Sequence, residues 1–280
     1  MTSITSWAAV DSRGVSSLYI ASDSRISWGT GQSWDQGRKT FACRQLPHIF
    51  GYWGDVLFPA MAIPLVIDRL EHQLLSVNPN RHFGAIGSTI RRLWIDYPDA
   101  QRRDAGILVG HRNGEGMRSI FSLAVFIYDA ASDSWSRRSI EMPSRSGELR
   151  IAGSGASYVR NAKKLWDLSA EGGTSRAVYS AFCEALMSGG DTASGGGPQL
   201  VGLFREGPGR VFGTVYGGQR FFAGSRLTRD EAASGNVDWF NHLFERVDER
   251  TMRRLPGART HRPRDLAHPK AYQTAEGAGR

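Results

Sequence analysis

Directly behind Met1 stands Thr2, and removal of the methionine would leave a hydroxyl and a free α-amine on one residue. A threonine hydroxyl is a poor nucleophile alone, and an amine on the same residue can activate it as general base. An α-amine titrates at about pH 8, and a neighbouring cation raises the fraction present as free base at neutral pH. The chain holds only four lysines, Lys39, Lys163, Lys164 and Lys270, among 35 Lys and Arg residues. Lys39 therefore stands out, because an ammonium can share or shed a proton where a guanidinium stays charged. A surface Lys39 paired with Asp35 is the plainer alternative. Asp191 and Ser194 sit three apart in a glycine-rich stretch, where backbone can approach a reactive group closely; a polar turn with capping character is the rival reading. The seven histidines are scattered, without a paired metal-ligand spacing, and no Gly-x-Ser-x-Gly precedes a helix beside an acid and a histidine. No metal or cofactor is expected.

These groups need a scaffold to bring them together. Residues 4–10 and 17–22 alternate about a turn at Asp11-Ser12-Arg13-Gly14, which predicts a hairpin at the start of the chain. A strand is expected at 49–53, then helices over 58–75 and 86–94 from their apolar spacing. A meander follows over 105–110, 120–128 and 136–141. A short strand at 149–152 runs into helices over 157–168 and 175–187. A closing strand pair is expected at 199–204 and 210–216, after glycines end the last helix. Antiparallel strands separated by helix pairs predict an α+β layered fold rather than a βαβ alternation. Val237, Phe240, Leu243, Phe244 and Val247 predict one more amphipathic helix within 233–255, ahead of a basic Pro- and Gly-containing tail over 256–280, expected to be disordered.

At 280 residues and 40% hydrophobic content the chain can bury a substantial core. Neither a signal peptide nor a membrane-spanning run is visible, so the expected location is the cytoplasm. Cys43 and Cys183 lie in apolar segments and read as buried thiols. The net charge of +8 owes much to Arg253, Arg254, Arg259, Arg262, Arg264, Lys270 and Arg280 near the C-terminus. With no nucleic-acid motif in the body, neither nucleic acid nor membrane is expected as partner. Trp7, Trp28, Trp34 and Trp53 crowd the opening segment and read as core or subunit-contact aromatics.

Six fragments occur in one order: Thr2-Ser3-Ile4, Ala21-Ser22-Asp23-Ser24-Arg25, Arg38-Lys39, Gly51-Tyr52-Trp53-Gly54-Asp55, Gly153-Ser154-Gly155 and Asp191-Thr192-Ala193-Ser194-Gly195-Gly196. Together, with 16 residues from Asp23 to Lys39 and 37 from Ser154 to Asp191, the pattern resembles the proteasome β-subunit family, including HslV-type peptidases. The resemblance implies a four-layer αββα sandwich of the Ntn-hydrolase type over residues 1–232. It implies Thr2 as nucleophile, Lys39 beside its amine with Asp23 holding the lysine, and Ser154, Asp191 and Ser194 as the hydrogen-bond network around that amine. Gly54, and secondarily Gly51, would donate a backbone N–H to an oxyanion. It further implies a polypeptide substrate, a homo-oligomeric ring and an ATP-dependent unfoldase partner.

One feature departs from the pattern: Thr2 lies 21 residues before Asp23, more than the family's opening hairpin allows. Extra residues confined to the turn leave Thr2 in place, whereas an odd shift in strand pairing turns its face away. The expected activity is a threonine-type endopeptidase. The alternatives are a catalytically silent assembly subunit and a small-molecule amidase with the same nucleophile.

Overall fold

The computed structural model describes residues 2–28, 31–75 and 82–261. In chain order its elements begin with β1 (Ser3–Asp11), β2 (Gly14–Ser22), β3 (Ile26–Ser27), β4 (Ser33–Trp34), β5 (Thr40–Ala42) and β6 (His48–Gly54). Helices α1 (Leu57–Glu71) and α2 (His82–Ile95) precede β7 (Ala105–Asn113), β8 (Ile120–Asp129), β9 (Ser134–Ile140) and β10 (Gly147–Gly153). Then come α3 (Ala156–Asp167), α4 (Ser175–Met187), β11 (Gln199–Phe204), β12 (Arg210–Tyr216), β13 (Gln219–Phe222) and β14 (Ser225–Leu227). The described chain closes with α5 (Arg229–Ala233), β15 (Trp239–Asn241) and β16 (Arg246–Val247).

Two sheets face each other. One runs β5-β6-β7-β8-β9; the larger runs β10-β1-β2-β11-β12-β13-β14, with β15 attached to β12 and β16 to β15. Side chains alternate along each strand, and that period sorts them into three apolar layers. Ile4, Leu18, Ile20, Ile49, Leu108 and Leu123 fill the space between the sheets. Their strand neighbours point outward: Phe50, Tyr52, Ile107 and Val109 meet α1 and α2 residues such as Phe58, Ile63, Ile86 and Ile90. Trp7, Tyr19 and Ala21 meet α3 and α4 residues such as Val159, Trp166, Val178 and Phe182. The result is the expected four-layer αββα sandwich.

The long first hairpin keeps its register where it matters. Pairing runs unbroken from Ile4↔Ser22 to Ala9↔Ser17, and the one shift falls between Ala9 and Val10, next to the turn. Ile4, Leu18 and Ile20 therefore share the inter-sheet face.

The helix expected within 233–255 is absent. Asn241 closes a turn instead: its side-chain oxygen accepts the N–H groups of Leu243 (3.0 Å) and Glu245 (2.9 Å), and Phe244 adopts a φ of 59°. The chain folds back there, with β15 parallel to β12 and β16 antiparallel to β15. The three- and four-residue spacing of apolar groups arises because Val237 and Val247 enter one cluster while Phe240, Leu243 and Phe244 reach α4's cluster. Of the expected tail, residues 262–280 lie outside the described residues; His261 is buried, its N–H on Glu245 Oε1 at 2.7 Å. Cys43 and Cys183 are free and buried in opposite outer layers. Trp7 is a core residue, but Trp28 and Trp34 are half exposed. Among the described residues no helix is long and apolar enough to cross a membrane.

Candidate active site

The site is built where β1 begins, and the first described residues are gripped from two sides. On one side β2 ends at Ser22, and Asp23 continues the pairing by donating its N–H to Ser3 O (3.1 Å). The Asp23 carboxylate accepts Ser3 N–H (3.0 Å) and Lys39 Nζ (2.8 Å) on Oδ1, and the N–H groups of Arg25 (3.1 Å) and Gly195 (3.0 Å) on Oδ2. Neither Lys39 nor Asp23 has solvent-exposed side chain. Burial pushes the lysine below its ordinary value and the carboxyl above, each opposed by the other's charge. Four donors on one carboxyl are satisfied by the anion, so the pair is ionised.

Lys39 also donates to Arg25 O at 2.5 Å, and its backbone N–H goes to Gln199 Oε1 at 2.9 Å. Gln199 in turn donates to Asp23 O (3.0 Å) and Gly37 O (2.7 Å), fastening the two strand ends that carry the ion pair. Asp35 is taken by Arg25, at 2.7 and 2.8 Å, which removes it as the alternative partner of Lys39.

The other side is the end of β10 and the turn after α4. Asp191 Oδ2 accepts hydrogen bonds from Ser154 Oγ (2.8 Å) and Ser194 Oγ (2.7 Å). Thr2 N–H donates to Ser154 Oγ at 3.2 Å, and Ser3 Oγ donates to Ser194 Oγ at 2.9 Å. With Met1 in the chain, Thr2 N is a peptide nitrogen, and it marks where a freed α-amine would sit. The glycines flanking Ser154 permit this approach. Gly153 has a φ of +90°, and a Cβ there would collide with Thr2 O; one on Gly155 would collide with Ser3 Oγ.

Thr2, Asp23, Lys39, Ser154, Asp191 and Ser194 thus converge through bonds to the Thr2–Ser3 unit. Met1 lies outside the described residues. Gly54 ends β6 with a φ of +85° and lines a 670 Å³ cleft, together with Ile26, Trp28, Leu57, Tyr97 and Arg103. Gly51 sits mid-strand, paired with Thr40 and Leu108, and a Cβ there would strike Ile4 and Ile20. Its role is the close approach of the two sheets, away from the cleft. Two participants escaped sequence reasoning. Ser3 carried no signal beyond adjacency to Thr2, and Gln199 only that of a polar residue opening an apolar strand.

No protein-family model and no curated protein sequence matches the chain. Among solved structures, eukaryotic HslV from Trypanosoma brucei matches at 12% identity and a TM-score of 0.46, over 72% of this chain and 99% of that one.

Proposed function

We propose that the chain is a threonine-type endopeptidase whose nucleophile is Thr2 once Met1 is removed. The observation that carries this reading is the double grip on Thr2–Ser3, with a buried Lys39–Asp23 ion pair on one side and the Ser154–Asp191–Ser194 network on the other. In this reading the Thr2 amine, oriented by Ser154, takes the proton of the Thr2 hydroxyl as its oxygen attacks the scissile carbonyl carbon. The Lys39 charge disfavours a protonated amine and stabilises the developing negative charge. In this reading a backbone N–H holds the tetrahedral oxyanion, and Gly54, which lines the cleft, is the residue assigned to it. Collapse breaks the C–N bond, the amine passes its proton to the leaving nitrogen, and an ester on Thr2 remains. Water, deprotonated by the same amine, then cleaves the ester to a carboxylic acid and free enzyme.

The substrate class is polypeptide, and the same reading extends to a homo-oligomeric ring, an ATP-dependent unfoldase partner and work in the cytoplasm. Leu57, Met61 and Leu65, half exposed at four-residue spacing on α1, support a subunit contact. The test is intact mass before and after a peptide epoxyketone, which requires both the hydroxyl and the free amine of an N-terminal threonine. Loss of Met1 plus one adduct on Thr2 is expected, and Thr2→Ala should abolish both adduct and peptide hydrolysis. Retained Met1 would make the chain a silent assembly subunit, and an adduct with turnover of acyl amides but no peptides would make it an amidase.

A further inference from the structure

Three of the seven histidines gather outside the Thr2 site, in the layer between the smaller sheet and its helices. His48 opens β6 and pairs in register with His111 near the end of β7, their ring centroids 4.5 Å apart. His82, the first residue of α2, lies over them, 3.9 Å from His111 and 6.1 Å from His48. None is more than 6% exposed. Among the described residues neither nitrogen of His48 has a hydrogen-bond partner, nor has Nδ1 of His111. Orphaned buried nitrogens are costly and call for a reason. The ring nitrogens do not converge as a metal-ligand set.

The surroundings oppose a proton from every direction. Burial pushes His48 down to about 3 and His111 down to about 2. Among the described residues, the charged or titratable groups acting on the two rings are His82 of α2, the rings themselves and Arg112 of β7, and no carboxylate is among them. Cys43, whose N–H bonds to His48 O across the strand pair, is a thiol that burial keeps neutral. Glu71, at the end of α1, is turned to the N–H groups of Arg44 and Gln45. The N-terminus of α2 adds its positive dipole end. Among the described residues a proton here finds no counter-ion, so the ring that accepts it must reach water.

We propose that His48, His82 and His111 form an acid-sensitive latch that holds the start of α2 against the sheet and releases it when His48 and His111 take up protons. The closed form binds fewer protons than the open one, so it is fully favoured above about pH 6.5 and loses ground as pH falls toward the depressed values. His48 and His111, each regaining an ordinary value on opening, shift the balance toward the open form by about 25-fold apiece between pH 7 and pH 5. Carboxylates stay ionised over most of that window, which separates the latch from general acid unfolding.

Hydrogen exchange on the full chain at pH 7 and pH 5, corrected for the intrinsic rate, tests this. Protection over His82–Ile95 should fall by about 25-fold or more, while α3 and α4 keep theirs. In His82→Phe and His111→Phe the fall should shrink. Equal protection at both pH values would overturn the latch, as would an undiminished fall in both variants or joint opening of all helices. Should the variants not fold, imidazole NMR on the unaltered chain decides. Rings that stay neutral until α2 opens are expected, and rings that titrate near pH 6.5 with α2 still protected would overturn the proposal.

Discussion

Lys39 and Asp23 share one buried ion pair, so each residue's worth depends on the other. Lys39→Met leaves a buried carboxylate without its cation and should cost about 3–5 kcal/mol in urea unfolding, whereas adding Asp23→Asn should return much of it. A single-variant loss under about 1 kcal/mol would mean the pair is solvated in solution. Ser3 acts on a finer scale. It bonds Asp23 through its N–H and Ser194 through its hydroxyl, joining both halves of the site. Ser3→Ala should lower stability by only about 1 kcal/mol, yet reduce kcat more than it changes KM. An unaltered kcat would show that Asp191 and Ser194 hold their places unaided. At Gly155 an added methyl meets Ser3 Oγ with Asp191 Oδ2 close behind, so Gly155→Ala should slow epoxyketone labelling of a protein that still folds.

Among elements, legibility followed length and period. α1 to α4 each carry three or more turns of apolar spacing, and β1, β2, β7 and β8 are long enough to show alternation. β3, β4, β15 and β16, at two or three residues, are too short to have a period, and backbone pairing alone defines them. Residues 237–247 misled because a tight turn can mimic helical spacing when two clusters share its apolar residues. The order of Asp23, Lys39, Ser154, Asp191 and Ser194 was readable through family resemblance, but Gln199 and Ser3 act through contacts across more than 150 residues, which local pattern does not encode. The same blindness hid the histidine cluster, since strand register and a helix start bring His48, His82 and His111 together. Two local features of the C-terminal elements invite measurement. Thr228 and Glu231 form a reciprocal cap on α5, and Thr228→Ala should cost about 1 kcal/mol. Asn241→Ala removes the acceptor of two turn N–H groups and should cost about 1–3 kcal/mol, read as a lower thermal midpoint.

For the whole molecule, the striped face of α1 and the half-exposed Trp28 and Trp34 lie on the outside of a closed four-layer body. Native mass should therefore exceed that of one chain, and Met61→Glu should reduce it; a monomer at micromolar concentration would leave that face without a partner. A different consequence follows from the span of the contacts at β1. Ser3 bonds a residue 191 positions on, and Thr2 one 152 positions on. Strand β1 itself lies between β10 and β2. Contacts so distant form late in folding. During synthesis the opening residues emerge first, yet they must wait for Ser194 and Gln199 before the site can close around them. A ribosome-bound chain short of that length would carry Thr2, the proposed nucleophile, but not its surroundings, so reactivity would wait for synthesis past Gln199. After dilution from urea, tryptophan fluorescence should accordingly recover before epoxyketone reactivity does.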